Sequence, residues 1–199
     1  MEGASRFKQE IEKHPLQPFL PKNARLLMMG SFPPPMKRWC IHFYYPNFNN
    51  DMWRIYGFLF FGDKNHFVLP KEKRFDKDRI IAFLEEKGIA IYDTATVVRR
   101  LQDNASDKFL EIIQPTDVNT LLQQLPLCHA LVTAGQKATD TLCELCRVKA
   151  PAVGKYAEFL LNEKRMRLYR MPSSSRAYPL ALEKKAACYK KMLEDVGIL

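Results

Sequence analysis

The sequence lacks any apolar run approaching the roughly 20 residues that a membrane-spanning helix needs. Its opening, MEGASRFKQEIEKHP, is charged and has no apolar centre, so it does not read as a signal peptide, and a cytoplasmic location is the expectation. The four histidines, His14, His42, His66 and His129, are scattered without metal-ligand spacing. Five cysteines, an odd number in a chain without an export signal, argue for free thiols rather than a disulfide framework. Cys143 and Cys146 form a C-x-x-C pair, but no second close pair completes a four-ligand site. The two fall on one face of the helical stretch KATDTLCELC, where small apolar thiols pack well. AGQK, residues 134–137, is not a Walker loop, which argues against a nucleoside triphosphate. Neither a metal nor a cofactor is expected. Linkers, repeats and low-complexity tracts are also missing, so residues 1–199 read as one domain.

What is present is an ordinary globular composition with a basic excess. Hydrophobic residues make up 47% of the 199 positions and charged residues 27%, enough to bury a substantial core. Lys and Arg number 31 against 22 Asp and Glu, a formal charge of +9 that favours a polyanionic partner, nucleic acid first. The plainer account is a solvated basic surface, and charge alone does not decide between them.

Periodicity organises the chain into alternating strands and helices. ARLLMMG (24–30), GIAIYD, HALVTAG and RMRLYRM are short apolar or half-apolar runs that suit buried strands. Helices are expected at residues 6–13, in NNDMWRIYGFLFFG behind an Asn49 or Asn50 cap, in DKDRIIAFLEEKG, and in TDVNTLLQQLP behind Thr116 or Asp117. Two more follow Gly135 and cover residues 180–196. Residues 62–77 read as loop. The alternation predicts an α/β/α sandwich of three layers around a mainly parallel sheet of about four strands. In such folds ligands bind at the carboxyl ends of the strands, here the loops GSFPPP, YDTATVV, TAGQKA and PSSSRAYP.

One stretch combines residue types that normally part company. FYYPNFNNDMWRIYG, residues 43–57, mixes aromatic side chains with Asn47, Asn49 and Asn50 just after the first strand. LLMMGSFPPP, YYPNFNNDMWRI, GIAIYD, TAGQKA and MPSSSRAYP follow one another in the order of motifs in the uracil-DNA glycosylase superfamily. Together they resemble most its hypoxanthine-DNA glycosylase branch, over nearly the whole chain.

That resemblance implies hydrolysis of the bond between a deaminated base, uracil or hypoxanthine, and its sugar in DNA, by a monomer working without metal. The chemistry accounts for the mixed composition. An extruded base has two apolar faces that call for aromatic and proline walls, and an edge that calls for amides. The departing base is anionic in the transition state and water must reach the sugar carbon. Phe32, Tyr44, Tyr45 and Phe48 are candidate walls, with plain core packing as the competing use of the aromatics. Gly30, Ser31, Phe32, Pro33, Tyr45 and Asp93 are the substrate-binding candidates. Asp93 serves equally well as a cap for a helix after GIAIYD.

Many relatives carry G-x-N-P or G-x-D-P in the first motif, and this chain has Phe32 there, which can stack on a base but cannot hold a water. By resemblance the catalytic role passes to Asn50, the asparagine three residues before Trp53, with Asp51 as the alternative water activator. The ordinary reading of Asn50 is a helix cap. Ser173, Ser174, Ser175 and Arg176 correspond to the loop that enters the DNA groove, where small hydroxyls can donate to phosphates and Arg176 can fill the vacated stack or pair with a phosphate. Arg165, Arg167 and Arg170 in the preceding strand favour DNA contact over a plain serine-rich turn. Met171 stands where other branches carry a histidine that helps the base leave. No lysine lies in a Schiff-base motif, so a monofunctional enzyme is expected. A base-sensing protein without catalysis, and an enzyme of the same fold acting on another nucleoside or ester, are the competing functions.

Overall fold

The computed structural model describes residues 11–102 and 106–199. In chain order the strands and helices are β1 (Ile11–Lys13), β2 (Leu26–Gly30), α1 (Met52–Phe61), β3 (Val68–Leu69), β4 (Arg74–Phe75), α2 (Lys77–Lys87), β5 (Ile89–Asp93) and β6 (Ala95–Arg100). They continue with β7 (Leu110–Pro115), α3 (Val118–Gln123), β8 (Ala130–Ala134), α4 (Gln136–Cys146), β9 (Lys155–Leu161), β10 (Lys164–Met171) and α5 (Leu182–Val196).

The main sheet has the order β5-β2-β8-β10-β9 and is flanked by helices, which makes the chain an α/β protein. Four of its strands run parallel, and β9 closes one edge antiparallel to β10. Every residue of β2 and β5 is buried, as expected of strands covered on both faces. The fifth strand corrects the expected four. KYAEFLL in β9 alternates exposed and half-buried positions, and such an edge strand has no continuous apolar run to signal it. A second sheet, β1-β6-β7, is antiparallel. It converts the segment read as the loop YDTATVV into strand β6, and Ile11–Lys13, read as helix, into β1. The rest of that expected helix lies outside the described residues. A short β3–β4 hairpin sits within the segment read as loop.

The helices are made where their apolar spacing placed them. Trp53 and Tyr56 on α1 are fully buried, and Phe60 stacks on Tyr56 with ring centres 6.0 Å apart. Asp76 and Asp117 cap α2 and α3 through side-chain bonds to Arg79 N–H and Thr120 N–H. Ala186, Tyr189, Leu193 and Val196 line the buried face of α5. Cys143 lies in the core and Cys146 packs against it; burial pushes the Cys146 thiol up to about 11, so both thiols act as apolar filling. No helix among the described residues is long and apolar enough to cross a membrane.

The turn from α2 into β5 depends on Gly88, whose φ of +66° ends the helix in the left-handed region. A Cβ there would stand 2.6 Å from the Asn23 carbonyl oxygen, just before β2. Gly88→Ala is therefore expected to cost more than about 1 kcal/mol, read as a lower urea midpoint with an unchanged slope.

Candidate active-site cleft

The order of the main sheet decides where a ligand can sit. From β2 the chain proceeds to β5 on one side, and β8 later pairs with β2 on the other. The loops leaving adjacent strands therefore diverge at β2 and leave a crevice at the carboxyl ends. A cleft of about 920 Å³ occupies that place, lined by Gly30 from β2, Asp93 from β5, Ala134 from β8 and Ser173 to Ser175 after β10. Three of the four expected loops thus meet in one hollow, and the fourth contributes through Asp93. That volume lies in the range of small-molecule and cofactor sites.

The 43–57 stretch divides its residues between core and cleft. Phe43 stacks beside Trp53, whose indole N–H donates to the Tyr44 carbonyl at 3.1 Å. Phe48 packs on Phe75 and lies under the Arg54 guanidinium, 4.6 Å from its ring centre. Arg54 in turn donates to the Phe48 and Asn50 carbonyls, so a buried cation braces the loop from behind. Tyr44, Tyr45, Asn47, Asn49 and Asn50 all line the cleft. The aromatics build a rigid floor and the asparagines face the hollow, which resolves the odd composition.

Tyr45 carries two conformational costs. Its φ is +48°, left-handed for a residue that is not glycine, and its buried hydroxyl has no hydrogen-bond partner among the described residues. Each such feature costs on the order of 1–3 kcal/mol, and both sit on one cleft residue held edge-on to Trp53 at 6.0 Å. Burial holds its phenol well above the usual range.

Asn50 accepts from Met52 N–H at 2.9 Å, so it does serve the start of α1, although Asp51 occupies the cap position. One lone pair of its amide oxygen and its NH2 group remain for a ligand. The loop and the serine segment are tied together here: Asp51 N–H donates to the Ser174 carbonyl at 2.9 Å, and Asn50 bridges to Ser175.

Asp51 itself lies elsewhere. Its carboxylate accepts from Arg176 at 2.9 Å and from Lys185 at 3.4 Å, and it lines a separate depression rather than the cleft. Lys185 is 1% exposed and also donates to the Ser175 carbonyl at 2.8 Å. Asp51 thus neutralises a buried ammonium and anchors the serine loop to α5, the opposite of a free water activator. Arg176 touches the cleft but spends its guanidinium on Asp51. Ser173 and Ser175 fold back on their own loop, accepting from Ser175 N–H and Ala177 N–H, and Ser174 is buried.

Other expectations change with the tertiary contacts. Phe32 is 8% exposed and packs with Ala95, Val98 and Leu110 in a small second core, so most of its ring is filling rather than a free stacking surface. Pro33 stays on the cleft wall, and its carbonyl accepts from Arg100. Asp93 caps no helix, because β6 follows it; its carboxylate pairs at 2.9 Å with His14 Nε2. Gly30 is required beside it, since a Cβ would meet Asp93 Oδ1 at 2.5 Å. Arg165 and Arg167 lie at the start of β10, far along the strand from the serine loop, and Arg167 pairs with Glu158 and Asp195. Of those three arginines Arg170 alone approaches the cleft end, bonding Gln136 and the Pro151 carbonyl. The cleft's own cations are Arg38, Lys108, Lys137 and Arg176.

Two site residues had no signal in the sequence. His14 is buried between Phe32 and Tyr92, and only the β1–β6 pairing brings it to Asp93. Asp107 enters the cleft from the connection between β6 and β7 and accepts from Ser31 Oγ at 2.7 Å.

The fold has a structural counterpart. The chain superposes with a TM-score of 0.58 on the solution NMR structure of a protein from Methanosarcina acetivorans provisionally named a uracil DNA glycosylase. The match covers 94% of this chain and 99% of that one at 18% identity, which establishes a shared fold. No family model matches the sequence. No curated protein does so either.

Removing Asp51 strands the Lys185 ammonium in the protein interior. Asp51→Ala is expected to cost about 3 kcal/mol or more in chemical denaturation. A loss below about 0.5 kcal/mol, the size of a surface substitution, would show that the pair is not structural.

Proposed function

We propose that this protein is a monofunctional DNA glycosylase that extrudes a deaminated base, uracil or hypoxanthine, into the cleft and hydrolyses its bond to the sugar. The observation that carries this reading is the cleft itself, an aromatic and proline floor facing three asparagines where four parallel strands end. Flat apolar walls suit the faces of a base, and amides suit its edge. The fold shared with the Methanosarcina protein supports the same reading.

In the proposed reaction the base stands over the Tyr45–Pro46 segment, with Asn47 and Asn49 available to its edge. Asn50 orients the attacking water through its remaining lone pair. Negative charge gathering on the departing base is met by amide dipoles at the cleft wall and the N-terminus of α4, whose first residues Gln136 and Lys137 line it. The net charge of +9 and the four cations at the cleft attract the phosphate backbone on either side of the extruded nucleotide. The DNA strand runs along the serine loop, where the Ser173 and Ser175 hydroxyls, accepting within the loop, keep their protons for neutral phosphate contacts.

A second reading has its own observation. Phe32, at the position where relatives hold water with an amide or carboxylate, is committed to packing, as a base-sensing protein without hydrolysis would permit. Oligonucleotides carrying one uracil, hypoxanthine, xanthine or mispaired thymine, single-stranded and duplex, separate the two when treated with protein and then alkali. Strand scission at uracil or hypoxanthine is the expected outcome; tight binding without scission would establish the sensor. Asn50→Ala is expected to slow single-turnover cleavage more than about tenfold, or about 1.4 kcal/mol of barrier.

A further inference from the structure

Asn50 can orient a water but cannot take its proton, because a carboxamide is not a base at neutral pH. Asp51, the carboxylate beside it, is consumed by Lys185 and Arg176 outside the cleft. Three carboxylates do line the cleft, Asp93, Asp107 and Asp140, and of these Asp140 is an exposed residue of α4 that accepts from Gln136 Nε2 at 2.6 Å. Asp93 is 7% exposed, bonded to His14, and pressed against the Gly30 backbone. Asp107 differs. Its Oδ2 accepts from Ser31, no hydrogen bond among the described residues engages Oδ1, and the half-buried residue lines the hollow, so one oxygen is steadied while the other is left for a ligand.

From this arrangement we propose that Asp107, oriented by Ser31, is the group that takes the proton from the attacking water. The inference rests on the glycosylase reading above. In the step, the water oxygen bonds to the sugar C1′ and the bond from C1′ to the base nitrogen breaks. Its electron pair leaves with the base, and the water proton passes to Asp107 Oδ1. Solvent later protonates the base and takes the proton back from Asp107. Atoms and charge balance without a metal or a second substrate.

The surroundings of Asp107 suit that task. Burial pushes its carboxyl above the usual range, and the negative charge of Asp93 pushes the same way. The Ser31 hydroxyl, Arg100 and Lys137 oppose the rise. Tyr45 also lies within electrostatic range. A base of raised pKa takes a proton more readily than an ordinary aspartate and still ionises as the pH rises. Cleavage should therefore increase with pH through a limb above the ordinary carboxylate range. The same shift has a cost in stability. Because the folded value lies above the unfolded one, stability falls as pH rises from the unfolded value through the folded one, and a neutral isostere should not lose it.

Ser31 is a positioning residue and gives an independent readout. Its hydroxyl stabilises the ionised form, so Ser31→Ala should move the rising limb of the pH profile to higher pH while slowing cleavage only a few-fold, about three- to tenfold. The experiment is single-turnover cleavage of single-stranded and duplex oligonucleotides carrying one uracil or one hypoxanthine, over a pH series, with thermal melting of each variant. Asp107→Asn is expected to cut about a hundredfold or more slower, melting no lower than the parent at neutral pH. If Asp107→Asn fails to fold, the displaced limb in Ser31→Ala carries the test. The inference is overturned if Asp107→Asn stays within about threefold of the parent with the same pH profile, or if Asp93→Asn loses the activity and Asp107→Asn keeps it. It is equally overturned if Ser31→Ala leaves the limb in place. A parent protein that cuts none of the probes removes the glycosylase reading and this inference with it, whereas an active parent with an active Asp107→Asn removes this inference alone.

Discussion

Strand β2 is hydrogen-bonded on both sides, to β5 over its full length and to β8 over most of it. This double parallel pairing is the constraint on which the molecule depends. Because the chain must leave β2 and return on opposite sides, the loops above it separate, and the crevice between them cannot be filled by either crossover. Gly30, Asp93 and Ala134 stand on those strand ends, and Asp107 is braced against the first of them through Ser31. Gly30 marks the point of divergence, and the absence of a side chain there is what lets the Asp93 carboxylate lie flat against the first loop.

Around that opening the protein gives each charge a place. Cations line the cleft beside the carboxylates Asp93, Asp107 and Asp140, which are held by His14, Ser31 and Gln136. On the far side of the serine loop, Asp51 balances Lys185 and Arg176 and ties the start of α1 to α5. A buried ion pair is weak as a source of net stability, but removing one partner is costly, which makes such a pair a firm register for two loops that must face each other. The strain at Tyr45 belongs to the same design: its left-handed backbone is tolerated because Trp53, the Tyr44 carbonyl and the Arg54 brace leave the loop few alternatives.

Much of this is legible in the sequence. LLMMG, IAIYD and ALVTA are short apolar runs that suit buried strands, and Trp53, Tyr56 and Phe60 carry the helical period. The convergence of GSFPPP, TAGQKA and PSSSRAYP at the carboxyl ends followed from the parallel topology alone. The β6–β7 hairpin did not, since ATVVRR reads as a polar continuation of a loop until β1 covers it. Nor did β9, whose alternating, solvent-facing residues resemble linker sequence. The first of those omissions had consequences, because the hairpin carries Asp107 into the cleft and encloses Phe32, turning a residue read as a stacking platform into part of a second core.

By itself, then, the sequence determined the alternation of strands and helices, the buried parallel sheet and the crowding of aromatics and asparagines near its first loop, because these depend on local spacing and residue type. Tertiary structure decided which neighbours in sequence parted. Asn50 and Asp51 are adjacent, yet one lines the cleft and the other serves a buried lysine on α5, because the chain turns into α1 between them and successive side chains leave in different directions. It also decided which distant residues met: His14 with Asp93, and Ser31 with Asp107, pairs separated by 79 and 76 positions. Partnerships of that kind leave no local pattern, since only the pairing of strands sets the distance between their side chains.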